Sequence, residues 1–284
     1  MLNVAIVGLG WWGQVLVNAV SEPRSTKLRF THAVARTPDR VRAYCDAREI
    51  SLTDDLARVL VDPSVDAVAL ATPHSQHTGQ IAAAAKAGKH VFVEKPLALD
   101  AASARAAAQA CRDAGVVLAL GHNRRFLPAL AEMKQIVASG SLGKILHLEG
   151  NFSISSGLRY QPGNWRVSKA ENPAGGMTAQ GIHVIDAFIY LAGPVASVRC
   201  EGQRRVLDVD MDDTTSAFLR FADGTTGYIS TVTATGRNFR VQVFGTRGWL
   251  HLLDEQKLEI CDIDGNVRRI EYPKADTERA ELEA

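Results

Sequence analysis

Three groups of residues have the types and spacing to do chemistry. Gly8, Gly10 and Gly13 form a GxGxxG turn directly after the apolar run Asn3–Val7 and before a helical stretch that reaches Val20. In such a turn the first glycine permits a tight bend and the second lets backbone amides close on a pyrophosphate. The third lets the helix pack near the strand, and the helix N-terminus adds partial positive charge. Glu94-Lys95-Pro96 follows the strand-like run His90–Val93, at the carboxyl end where open α/β sheets put their ligands. His183 and Asp186 stand three residues apart in a helical stretch, so they share one face. An imidazole exchanges protons near neutral pH, and the carboxylate beside it can bond a hydroxyl or hold the ring. An amine crowded by another cation gives up its proton more readily, so Lys95 could take a hydroxyl proton or stabilise an alkoxide.

The end of the second predicted strand bears on which dinucleotide fits. NAD sites usually carry Asp or Glu there, about 20 residues past the glycines, to bond the ribose 2′-hydroxyl. Here that position holds Ala35, followed by Arg36-Thr37 and then Arg40. An acid would repel a 2′-phosphate, whereas Arg36 would pair with one. NADP(H) is therefore expected over NAD(H), with a solvated surface role as the alternative for Arg36. Leu9, Trp11 and Trp12 lie inside the glycine turn. They are counted with the cofactor contacts, although ordinary packing of one tryptophan against a second domain is the favoured account. His74 and His77 are three apart but have no third ligand in view, so no metal site is expected.

These groups need a scaffold, and the pattern supplies one. Alternating strands (near 3–7, 28–35, 65–71, 90–93 and 116–121) and helices (to 20, 39–48, 80–87 and 101–114) fill the first part of the chain. Short connections between them call for a parallel, doubly wound sheet. Beyond residue 121 the character changes. Helices are predicted near 128–139 and 177–191, then strands near 195–205, 214–221, 225–234, 240–244 and 258–261. Ala222-Asp223-Gly224 and Asp264-Gly265-Asn266 are hairpin signals, which points to a largely antiparallel sheet. The expected organisation is α/β: a Rossmann domain over residues 1–121, then an α+β domain with an open sheet over 122–284 for substrate binding and oligomer contacts. Residues 277–284 read as the opening turns of a helix.

Composition narrows the function classes. The 284 residues hold 32 Lys+Arg against 31 Asp+Glu, a net charge of +1, which argues against a nucleic-acid binder. With 46% hydrophobic and 22% charged residues the chain can build an ordinary core. It has no apolar run of membrane-span length and no signal-peptide pattern. Cys45, Cys111, Cys200 and Cys261 are scattered without a CxxC pair, which suits reduced thiols and a cytoplasmic location.

Taken together, Gly8–Gly13, Ala71-Thr72-Pro73 with His77, Glu94-Lys95-Pro96, and Gly181-Ile182-His183 with Asp186 resemble the glucose–fructose oxidoreductase/inositol dehydrogenase (Gfo/Idh/MocA) family. Asn123-Arg124-Arg125-Phe126 and Trp165-Arg166 stand where that family often has similar residues. The match runs through essentially the whole chain in the right order. It implies reversible, metal-independent hydride transfer between a nicotinamide and a sugar, polyol or other cyclic alcohol. It implies that Thr72, Pro73, His74, His77 and Glu94 border the cofactor, and that Lys95 touches both nicotinamide ribose and substrate, with the bond before Pro96 often cis. Catalysis would fall to Lys95, His183 and Asp186, with Asn123, Arg124, Tyr160, Trp165 and Arg166 completing the substrate pocket. Arg124 and Arg125 also suit salt bridges between the domains. A homo-oligomer, dimer or tetramer, is expected, and the stop at Ala284 suggests a chain shorter than is usual for the family. One departure stands out: where the family commonly has an Asp four residues before the histidine, this chain has Ala179, with Thr178 and Gln180 beside it. That loss favours the competing reading, a dinucleotide or sugar sensor without turnover.

Overall fold

The computed structural model describes residues 1–21 and 23–284. Its first strand, β1 (Leu2–Val7), ends in the glycine turn and α1 (Trp11–Val20). Then follow β2 (Leu28–Val34), α2 (Arg42–Asp46), β3 (Ser51–Thr53), α3 (Leu56–Leu60), β4 (Ala67–Leu70) and α4 (His77–Lys86). The series closes with β5 (His90–Glu94), α5 (Ala101–Asp113) and β6 (Leu118–Gly121). All six strands pair in parallel, in the order β3-β2-β1-β4-β5-β6. This is the doubly wound order whose direction reverses between β1 and β4, and a dinucleotide lies across the carboxyl ends at that reversal. Burial explains the apolar runs: every residue of β4 is buried, because helices cover both faces. Local signals set the ends, as where the Asp100 side chain caps α5 through the Ser103 amide (2.8 Å).

Two details differ from the sequence reading. The helix predicted over 39–48 is a 3₁₀ turn at Pro38–Arg40 followed by the short α2. The elements β3 and α3 are too short to print a periodic pattern, so the sequence reading passes over them.

The second unit opens with α6 (Pro128–Ala138), β7 (Ile145–Ser153) and α7 (Ile182–Ala192). It continues with β8 (Val195–Gln203), β9 (Thr214–Phe221), β10 (Thr226–Val232), β11 (Asn238–Gly245), β12 (Gly248–Leu252), β13 (Lys257–Asp262) and β14 (Val267–Glu271). The eight-stranded order is β14-β13-β12-β11-β7-β10-β9-β8, antiparallel except where β10 runs parallel to β7. The strands β7, β12 and β14 go beyond the sequence reading, and β7 is central to the sheet. The two hairpin signals are turns at positive φ, Gly224 at 90° and Gly265 at 88°. The helix predicted from residue 177 begins with a wider π turn at Met177–Gly181 before α7.

The chain divides into two compact units, Met1–His122 with Glu278–Ala284, and Asn123–Thr277. The closing helix α8 (Thr277–Glu283) therefore packs mainly with the first unit, although the sequence reading assigns it to the second domain. Leu282 packs onto the core around α1 and β1, and Lys27 bonds the Glu283 carbonyl (2.6 Å). In the second unit, α6 and α7 lie on one sheet face. Along β9, buried Thr215, Ala217, Leu219 and Phe221 alternate with more exposed neighbours on the other face. The seat of α7 is Gly150 of β7, where an added Cβ would collide with Val184 and stand 3.0 Å from the Phe188 ring. A methyl group there has to push α7 off the sheet. Gly150→Ala is therefore expected to destabilise the unit by about 1–3 kcal/mol, read as a lowered Tm; an unchanged melt would show that the helix has slack.

Candidate active site

The glycine turn divides its work in an observable way. Gly8 has φ +93°, and a Cβ on it would lie 2.7 Å from the Ala71 carbonyl oxygen. A Cβ on Gly13 would strike the Gly8 carbonyl. These two glycines set how closely α1 approaches the sheet. Around Gly10 nothing lies within 4 Å of the Cβ position, and no side chain caps α1. The first-turn amides of this ten-residue helix thus lack a capping side chain beside open space, which fits a bound pyrophosphate.

Around the turn, the residues expected to meet the cofactor differ in burial. Leu9 is 3% exposed and its side chain belongs to the core, which leaves only its backbone for a ligand. Trp11 is exposed. Trp12 instead turns inward and its Nε1 donates to Glu94 Oε1 (2.5 Å), a bond within the first unit. Arg36 is exposed just past β2 and has no ion pair or side-chain hydrogen bond with the described residues.

His77 is fully buried. Its Nδ1 donates to the Pro96 carbonyl (2.8 Å), and Nε2 lies 3.1 Å from the Thr72 carbonyl. It joins the two loops that leave β4 and β5, with the buried His74 ring 5.9 Å away. Thr72 bonds Gln80 through its hydroxyl (2.6 Å). The Lys95–Pro96 bond is cis, and Lys95 is half-buried at the end of β5.

Glu94 is a buried carboxylate. Desolvation raises its pKa, and the Lys95 charge and the Trp12 bond counter this only in part. Gly121 of the neighbouring strand makes room for it, since a Cβ there would stand 3.1 Å from Glu94 Oε1. The folded protein thus keeps a proton on Glu94 at pH values where the unfolded chain has lost it. The resulting penalty is absent below the ordinary value of 4.5, grows as pH rises above it, and levels off once pH passes the raised folded-state value. Glu94→Gln keeps an acceptor for Trp12. Its Tm relative to the native chain is expected to rise with pH above about 4.5 and then to level off; a pH-independent difference would contradict the burial argument.

In the second unit, His183 is 7% exposed on the first turn of α7, its ring 6.0 Å from that of Phe152. Asp186 is one turn further on. Both its oxygens accept from Arg125, Oδ2 from Nε and Oδ1 from Nη2, each at 2.8 Å. That pair holds the guanidinium pKa above its ordinary value. Both oxygens of the carboxylate expected to bond substrate thus accept from Arg125, a residue of the same unit. Arg124 bonds Glu255 (2.9 Å) and stacks over Phe152 (4.6 Å). Asn123 is buried, near the Thr277 hydroxyl at 3.5 Å.

Tyr160 packs with Val167, Leu207, Val209 and Met211 in a small cluster separate from the core beneath α7. Arg166 stacks on Trp165 at 4.3 Å. Ala179 lies in the π turn. The sequence reading has no place for Phe152, Arg237 or Glu255. They come from β7, the β10–β11 turn and the β12–β13 turn, so no local spacing marks them. Among the described residues no cluster of His, Cys, Asp or Glu could hold a metal ion, and no helix is long and apolar enough to cross a membrane.

Comparison with known proteins agrees with this architecture. Residues 2–122 match the oxidoreductase family with NAD-binding Rossmann fold, and residues 130–251 match the GFO/IDH/MocA C-terminal domain. The chain belongs to the GFO/IDH/MocA family. Its first unit is a nicotinamide-dinucleotide-binding Rossmann domain, and the protein is an NAD(P)-dependent oxidoreductase. It is 31% identical over 283 residues to scyllo-inositol 2-dehydrogenase (NAD(+)) of Bacillus subtilis, covering 93% of this chain and 78% of that protein. To levoglucosan dehydrogenase of Pseudarthrobacter phenanthrenivorans it is 30% identical over 296 residues, covering 91% and 75%. A solved putative NADPH-dependent oxidoreductase from Desulfitobacterium hafniense superposes with a TM-score of 0.90 at 28% identity, covering 99% of this chain and 86% of that one.

Proposed function

We propose that this family member transfers a hydride between NADP(H) and a ring or chain carbon of a polyhydroxylated small molecule, interconverting CH–OH and C=O. The observation that carries the reading is Lys95. It stands half-buried at the carboxyl end of β5, on the sheet edge where the glycine turn and α1 are shaped for a dinucleotide. Relatives named for inositol and levoglucosan support a sugar or polyol substrate.

The nicotinamide, when bound, supplies or accepts the hydride. In the oxidation direction the Lys95 amine takes the hydroxyl proton or steadies the alkoxide, and His183 serves as proton donor or acceptor. Asp186 acts through Arg125, as a positioning residue that fixes α7 beneath His183. Removing a general acid or base typically costs about 10²–10⁴ in rate. Lys95→Ala and His183→Ala are each expected to lower kcat by that order, assayed as NADP⁺ reduction at about 340 nm across sugars, inositols and cyclic diols. Tight cofactor binding without turnover of any panel member would sink the reading in favour of a sensor.

NADP(H) preference rests on Arg36, whose exposed guanidinium follows β2 where an acid would select the 2′-hydroxyl. A charge-assisted bond is worth about 1.5–3 kcal/mol, so Arg36→Ala should shift the NADP⁺/NAD⁺ ratio of kcat/KM about tenfold to a hundredfold toward NAD⁺. An unchanged ratio removes Arg36 from cofactor choice. Self-association and a cytoplasmic setting belong to the same reading. Phe218, 56% exposed, stacks with Tyr228 at 6.0 Å on the uncovered sheet face, and the four cysteines are unpaired.

A further inference from the structure

Beside His183 the second unit carries a charge cluster that the mechanism above does not use. Glu255 Oε1 accepts from two guanidinium groups, Arg124 Nη2 at 2.9 Å and Arg237 Nη2 at 2.8 Å. Both arginines also lie over Phe152, at 4.6 Å and 5.6 Å from the ring centre. The same ring neighbours His183, with 6.0 Å between ring centres. Phe239 braces Phe152 edge-on at 5.2 Å. One aromatic platform thus carries an imidazole and two guanidiniums, with one carboxylate shared between the cations.

The two arginines differ in what they can offer. Arg124 is inward, 16% exposed, whereas Arg237 is 58% exposed. Arg237 spends one N–H on Glu255, and its remaining donors have no partner among the described residues. A free surface arginine would lose rotamer entropy on binding an anion. Held by a carboxylate and an aromatic face, this one has already lost much of that freedom, and a planar fork fits an oxyanion with two parallel bonds. A neutral hydroxyl can accept from such a guanidinium, but an oxyanion pairs with it more strongly.

We infer that Arg237 anchors an anionic group, and that the substrate is a polyol bearing a carboxylate or a phosphate rather than a neutral one. The inference deepens the dehydrogenase reading above and rests on it. Arg124 and Glu255 set the position of Arg237, and Phe152 fixes its distance from His183. Of the two oxyanions, a carboxylate matches the two-pronged fork of one guanidinium, and a phosphate would draw on further donors as well.

The test compares kcat/KM for D-glucuronate, D-gluconate and D-glucose 6-phosphate with that for D-glucose and myo-inositol, in the native chain and in Arg237→Gln. The acid-to-neutral ratio is expected to favour an anionic member and to fall about tenfold to a hundredfold in the variant. Arg237→Lys should restore only part of it. Raised salt should weaken the anionic substrates selectively. The carboxylate and phosphate arms decide which oxyanion is taken. A native preference for neutral polyols, or a ratio untouched by Arg237→Gln, overturns the inference while leaving hydride transfer standing. Should no member be turned over, the dehydrogenase reading fails by itself. Calorimetric binding of D-glucuronate to the cofactor-loaded native and variant proteins then still decides the anchor, no difference counting against it.

Discussion

Helix packed on strand more closely than a methyl group allows is the constraint on which both units depend. In the first unit α1 comes so near β1 that a Cβ on Gly13 would strike the Gly8 carbonyl. That approach points uncapped amides past Gly10 into open space. In the second unit Gly150 admits α7 to the sheet at the level of Val184, the neighbour of His183. Each helix has its depth fixed by a missing side chain. Interiors packed at crystal-like density leave little room for compromise at such points.

Buried charge is the second organising problem, and the two units meet it differently. Burial raises the pKa of Glu94, and Trp12 is a donor that ties the glycine-loop helix to β5. Asp186 stays paired, both oxygens on Arg125. An isolated buried carboxylate would be costly, so these partners are part of holding Lys95 and α7 in position. His77 serves the same end without charge pairing, clasping the loops after β4 and β5 through their carbonyls. Residues that stand out in the sequence thus also hold their neighbours in place through these bonds.

Legibility in the sequence follows from the range of the interactions involved. The glycine turn, the run into β5 and the three-residue spacing of His183 and Asp186 are local patterns. Their elements form as expected because backbone sterics and burial period act over a few residues. The central strand β7 is less legible, since its inward positions include Gly150 and its neighbours alternate without strong contrast. Strands β12 and β14 are short and follow tight turns. The last helix departs from the sequence reading for a related reason. Its sequence shows a helix, but which core covers Leu282 is a matter of three-dimensional packing.

By itself, the amino-acid order determined a parallel dinucleotide domain followed by a sheet-rich one, and it marked the amine and the imidazole. These depend on glycine's freedom at positive φ and on apolar periodicity, both local properties. Only the tertiary structure decided what each side chain is joined to: Trp12 to Glu94, Arg125 to Asp186, and Arg124 with Arg237 to Glu255. Those partners are separated by 18 to 131 residues along the chain, and no spacing rule operates over such distances. Electrostatic pairing acts through space, so the fold has to exist before the charges can choose.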